Sequence, residues 1–271
     1  MSNDYILEFD FSRYKELDHF ALLSDQSYNF GNKNGWFGYF RGGFHGFFTR
    51  ILGVKIHYRE VHSWEIITRG ENPIGLAEYH LSSIFFNMDS SIECMVFGLN
   101  ALGYAVNSTE FLDITSEKKL REIGPKNILG RRRDSSKGII SGYDKYFPSL
   151  KNHFEENREL IFTIQNQHDV SKHRSIIFQG GRKRTDPPQN VLDLLGIENN
   201  MKEIILIGPW AEINLSRQPK TLPEQHLQEK KESDINNLED LAERFCKFIN
   251  KCGDKIFEDV QNTIKLNSYE L

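Results

Sequence analysis

The chain has 271 residues, enough for one large domain or two small ones with a core of ordinary size. Hydrophobic residues make up 38% and charged residues 27%, with 20 Phe and 10 Tyr, which excludes a disordered chain. The formal net charge of −4 excludes a protein that is basic throughout, so any polyanion must meet local patches.

The N-terminal stretch Met-Ser-Asn-Asp-Tyr lacks the basic and apolar regions of a secretory leader. Cys94, Cys246 and Cys252 are few and show no paired spacing, which argues against a disulfide framework and fits a reducing cytoplasm. The expected localisation is cytoplasmic.

Residues 10–28 carry Phe11, Tyr14, Leu17, Phe20, Leu22 and Leu23 between polar groups, which predicts an amphipathic helix. Residues 30–48 follow, dense in glycine and aromatics. Gly38, Gly42 and Gly46 recur every fourth residue, next to Trp36 and a run of Phe. That pattern predicts packing against a close neighbour, or a contact between subunits. A pocket lined by Trp36, Tyr39 and Phe40 is the other reading. Window 36–56 is long enough for a bilayer but holds Arg41, His45, Arg50 and Lys55. Charges at those depths cost roughly 2.5–3.5 kcal/mol each, so no membrane span is expected.

From Phe44 to Thr68 apolar residues step at three or four, until Gly70 and Asn72-Pro73. Residues 74–106 carry one continuous apolar stripe from Leu81 to Val106, which predicts a long central helix. Gly98 and Gly103 near its end admit a close neighbour or a bend. Segment 111–145 is broken by Gly124-Pro125, Gly130 and Gly138. A helix is predicted from Pro148 to Phe178, closed by Gly180-Gly181. Residues 203–215 predict a small β-hairpin, broken at Gly208-Pro209.

The predicted fold class is therefore mainly α, a helical bundle with long central helices and a minor β element. Three parts are expected. Residues 1–216 form the bundle, 217–236 a polar linker, and 237–271 an amphipathic helix that docks on the bundle or on a partner.

The densest polar constellation is on the helix at 153–174. At about 100° per residue, Arg158, Gln165, Asp169, Lys172 and His173 share one face, while His168 joins Leu160, Ile161 and Ile164 opposite. Asp169 one turn before His173, with Arg158 or Arg174 to hold an anion, suits acid–base catalysis on a phosphodiester. The ordinary alternative is a solvated polar face. A second cluster, His57, Glu60, His62 and Glu65, reads His-x-x-Glu rather than the Glu-x-x-His of carboxylate-bridged metal sites, so no metal is expected.

Two basic patches remain. One runs from Glu117 to Lys137 and contains Arg131, Arg132 and Arg133. The other runs from Lys172 to Arg184 and contains Arg182, Lys183 and Arg184. Both lie in loops with glycine, and loop arginines grip phosphates.

The helical architecture resembles the HEPN-type bundles. Their ribonucleases carry an Arg, then about four to six residues, then a His. Arg50 and His57 meet that spacing, although Ile51 stands where the family often has a polar residue. The resemblance implies a metal-independent ribonuclease without cofactor.

The expected function is engagement of an anionic ligand, RNA or a nucleotide, through the basic loops, with HEPN-like cleavage as its enzymatic form. The competing expectation is a non-catalytic scaffold subunit that self-associates or binds another protein.

Overall fold

The computed structural model describes residues 6–27, 30, 35–61, 73–131, 138–173 and 238–264, and for 73–77, 170, 172 and 173 the helical backbone alone. The protein is mainly helical. In chain order the helices are α1 (Ser12–Gln26), α2 (Trp36–Val61), α3 (Pro73–Val106), α4 (Glu117–Leu120), α5 (Lys126–Leu129), α6 (Ser141–Tyr146), α7 (Pro148–Glu156), α8 (Arg158–His173) and α9 (Leu238–Asp259). A π-helical turn, Val260–Ile264, continues α9. The hairpin expected at 203–215 and the linker at 217–236 lie outside the described residues. Among the described residues no helix is long and apolar enough to cross a membrane.

Two helices differ from expectation. The predicted Phe44 start is too late: α2 begins at Trp36, directly after Gly35, whose φ of 68° is the left-handed region that glycine tolerates best. Four glycines in the first three turns oppose a helix by propensity. Burial of Trp36, Phe40, Phe44 and Phe47 outweighs that cost. The predicted helix 148–178 is broken at Asn157, which closes α7 and opens α8. Asn157 sits at φ −108° and ψ 18°; its backbone N–H is shared between the His153 and Phe154 carbonyls, and its side-chain amide donates to His153 at 2.9 Å. An Asn that satisfies the preceding turn in this way competes with helix continuation.

The chain divides into two compact units. One comprises Met1–Leu7, Leu52–Met88 and Thr163–Arg244; the other comprises Glu8–Ile51, Asp89–Phe162 and Phe245–Leu271.

In the second unit α2 and α3 run antiparallel at very close range. A Cβ built on Gly43 would lie 2.6 Å from the Gly98 nitrogen, and one on Gly46 would lie 2.9 Å from Cys94 Sγ. Further along α3, the Phe111 ring fills the space beside two glycines. A Cβ at Gly103 would come within 2.4 Å of that ring, and one at Gly142 within 2.5 Å. Buried Asn100 fastens the same region: its amide donates to the Leu112 carbonyl at 2.8 Å, and its oxygen accepts the Leu112 N–H at 3.1 Å. A side chain thus satisfies a backbone donor and acceptor that burial would otherwise leave costly.

In the first unit the end of α2 lies close to the first half of α3. Gly53 faces Asn87, whose amide oxygen would lie 2.6 Å from an added Cβ. One side of α2 is buried through Val54, Tyr58 and Val61, while Leu52 and Ile56 are exposed. On α8, Ile164 is buried and the half-buried His168 meets the Phe86 ring edge-on at 5.4 Å.

Candidate functional site

The basic loop after α5 has its two ends tied together. Gly130 ends α5 at φ 71°, and Gly138 resumes the described chain at φ 93°. Both values favour glycine, so the chain turns sharply at each end. Buried Asn127 on α5 ties down the returning chain: its side-chain oxygen accepts the Gly124 N–H at 2.7 Å, its amide donates to the Gly138 carbonyl at 3.4 Å, and its backbone carbonyl accepts the Ile140 N–H at 2.8 Å. Gly138 also lies close to the Lys126 carbonyl, 3.1 Å from where its Cβ would be. Arg131 leaves this base exposed. Arg132 and Arg133 lie outside the described residues. Lys118, Lys119 and Lys126 on the preceding helices are also exposed. Lys119 pairs with Glu122 at 3.0 Å.

Arg158 reinforces the same loop. Its Nε donates to Glu155 at 2.8 Å and Nη2 to the other Glu155 oxygen at 2.9 Å, while Nη2 also reaches the Leu129 carbonyl. The sequence expects this guanidinium to hold an anion; in the fold it meets a carboxylate and the backbone just before Gly130. Asp169 is exposed, eleven residues further along α8. Lys172 and His173 close α8 without described side chains, and Arg174, Arg182, Lys183 and Arg184 lie outside the described residues.

The glycine stripe divides. Trp36 is buried and Gly46 lies against Cys94, but Gly38 and Gly42 are exposed with open space around them. Within the chain the close contact uses Gly43 instead. At about 100° per residue, Gly38 and Gly42 point away from buried Phe40, whereas Gly43 sits near its side.

A further pair of groups has mutual reach. His57 on α2 and His80 on α3 approach with their Nδ1 atoms 2.9 Å apart, ring centroids 5.1 Å apart and planes inclined at 50°. Tyr79 stands edge-on to His57 at 5.8 Å. Both imidazoles are half-buried, and burial lowers their pKa below the ordinary value. The His80 charge further opposes that of His57, and Glu60 pulls both upward. Spacing along one helix flagged His57 and Glu60. His80 escaped notice because it is twenty-three residues away on another helix. Within the first unit the antiparallel register points to it, since the close pair 53/87 brings 57 opposite 80.

None of the three cysteines is in a disulfide. Burial pushes the Cys94 thiol up, against a weaker downward pull from Arg50, so it is no activated thiolate. Among the described residues no group of three or more His, Cys, Asp or Glu is placed to share a metal ion.

Comparison with protein-family models, curated proteins and solved structures finds no match. Fold and composition define a mainly helical protein with a glycine-bounded basic loop.

Proposed function

We propose that the protein engages an anionic ligand, RNA or a nucleotide, through the loop that carries Arg131, Arg132, Arg133 and Lys137. The observation that supports this is the Asn127 bridge. Asn127 holds Gly124 and Gly138 through its side chain and Ile140 through its backbone carbonyl, so the chain that re-enters at Gly138, after the segment carrying the four cations, is fixed beside α5. Holding the ends of a cationic loop reduces the ordering cost of gripping phosphates. Lys126, exposed at the base, adds to the same field.

The test is anisotropy with a labelled single-stranded RNA over a range of salt. Affinity is expected to fall as salt rises. Replacing Arg131, Arg132 and Arg133 by Ala is expected to weaken binding at least tenfold and to reduce the salt slope by about 2, at about 0.7 per lost contact. Binding that ignores salt overturns the reading.

Cleavage is a separable part of the proposal. It assigns metal-independent phosphodiester hydrolysis, as in the HEPN-type bundles, to His173 with Asp169 and Arg174. Arg158, already engaged by Glu155 and Leu129, is left in a supporting role. RNA cleavage unchanged in His173→Ala removes this part.

A second reading has its own observation. Gly38 and Gly42 lie exposed on α2 with open space around them, a surface on which another helix can sit closely. A scaffold subunit would use it, and light scattering that finds only monomer counts against this.

A further inference from the structure

We propose that His57 and His80 form a two-histidine site for a divalent transition-metal ion of the zinc type, with water completing the coordination.

The ring positions carry the argument. In a tetrahedral zinc site each imidazole nitrogen lies about 2.0–2.1 Å from the ion. A ring centroid lies about 1.15 Å beyond its nitrogen, so two such rings stand about 5.2 Å apart across the ion. The observed centroid separation is 5.1 Å. The two Nδ1 atoms, now 2.9 Å apart, would open to about 3.4 Å by rotation of the rings where they stand. No helix has to move to admit the ion.

The chemistry agrees with the geometry. A metal binds neutral imidazole, and burial favours the neutral form of both rings. Both rings are half-buried, which leaves them reachable from solvent while α2 and α3 fix their positions. Glu60, one turn after His57, supplies a negative charge that acts on both imidazoles. Without the ion, the close nitrogens share one proton, one ring donating and the other accepting. The ion takes the place of that proton: the donor ring gives up its Nδ1 proton to solvent and takes one up at Nε2, so both rings stay neutral. With two protein ligands, the site is an exchangeable one rather than a permanent structural centre.

The site owes nothing to the basic loop, so its test is independent of RNA binding. Zinc alone is titrated into the full chain by calorimetry at neutral pH, with magnesium as the oxygen-preferring control. One zinc is expected to bind. His57→Ala and His80→Ala are each expected to weaken it at least tenfold, and His45→Ala to leave it within twofold. Circular dichroism checks that each variant folds, with His57→Gln and His80→Gln as the milder replacements. Imidazole NMR of the unsubstituted protein gives a second reading. Zinc-dependent shifts of the His57 and His80 signals support the site. Shifts confined to other histidines overturn it, as does an affinity unchanged in both variants.

Discussion

Asp259, the last residue of α9, accepts the backbone N–H of Leu150, in the first turn of α7, at 2.9 Å across 109 residues of sequence. Its other oxygen accepts the Ser149 N–H at 3.0 Å. Pro148 brings no N–H, and the Lys151 N–H bonds to Phe147. The donors that a helix start leaves open are thus all accounted for, two of them by a distant carboxylate. Burial pushes that carboxyl up against the opposing pull of the two N–H groups.

Removing this cap exposes its worth. Asp259→Ala leaves two donors of α7 without their partner and is expected to cost about 1–3 kcal/mol. Asp259→Asn keeps one acceptor and is expected to cost less. Urea midpoints of the two variants check the order; equal losses would contradict it.

Adjacent glycines are expected to respond in opposite directions. Gly42→Ala fills open space on an exposed helix face and gains helix propensity, about 0.5–1 kcal/mol. Gly43→Ala drives a methyl into the backbone of Gly98 and is expected to cost about 1–3 kcal/mol. Thermal melts of the two proteins suffice. A Gly42→Ala protein that loses self-association would favour the scaffold reading.

Asn127 separates loop geometry from loop charge. Asn127→Ala removes no cation, so the salt slope of RNA binding is expected to stay as it is. The side-chain bonds to Gly124 and Gly138 are lost, while the backbone bond to Ile140 stays, and affinity is expected to fall several-fold. A slope that drops with affinity would mean the substitution had dislodged arginines from the phosphates.

Acid is expected to weaken the His57–His80 pair. Both folded imidazoles are lowered from the ordinary 6.5. Below about 6.5 the unfolded chain takes up protons that the folded pair resists, so the pair's contribution is fully present above 6.5 and is lost as pH falls through the lowered values. The first proton leaves one Nδ1–H facing a lone pair; the second sets two N–H groups against each other. Urea unfolding between pH 7.5 and 5 should show a smaller pH dependence in His80→Gln than in the unsubstituted protein.

Much of the architecture was legible because apolar stepping survives in sequence. The buried set Leu81, Ile84, Phe85, Met88, Ile92 and Met95 is the stripe that predicted α3. Cys252, Ile256 and Val260 likewise predicted α9 and its continuation. The break at Asn157 was not legible, because asparagine is tolerated inside a helix and only its bonds to the preceding turn show that it ends one. The four-residue glycine step reaches the close contact at Gly46, whereas Gly38 and Gly42 face open space and Gly43, outside the step, meets Gly98. Asn100, Asn127 and Asp259 left no signal, since each acts on backbone that only the folded chain brings near. For the same reason Arg158 read as an anion ligand, though its guanidinium meets Glu155 and Leu129.

The buried Tyr14 hydroxyl donates to the Ile249 carbonyl at 2.7 Å, and Asn250 holds Asp10 N at 2.9 Å and the Glu8 carbonyl at 3.1 Å. On the ribosome α1 emerges more than two hundred residues before α9, the helix that takes the Tyr14 hydroxyl. Its apolar face must wait through that interval, at 5–20 residues per second a delay of some tens of seconds. A nascent chain stalled before α9 therefore presents Tyr14 and Phe20 without their α9 partners, and is the form that a chaperone would meet.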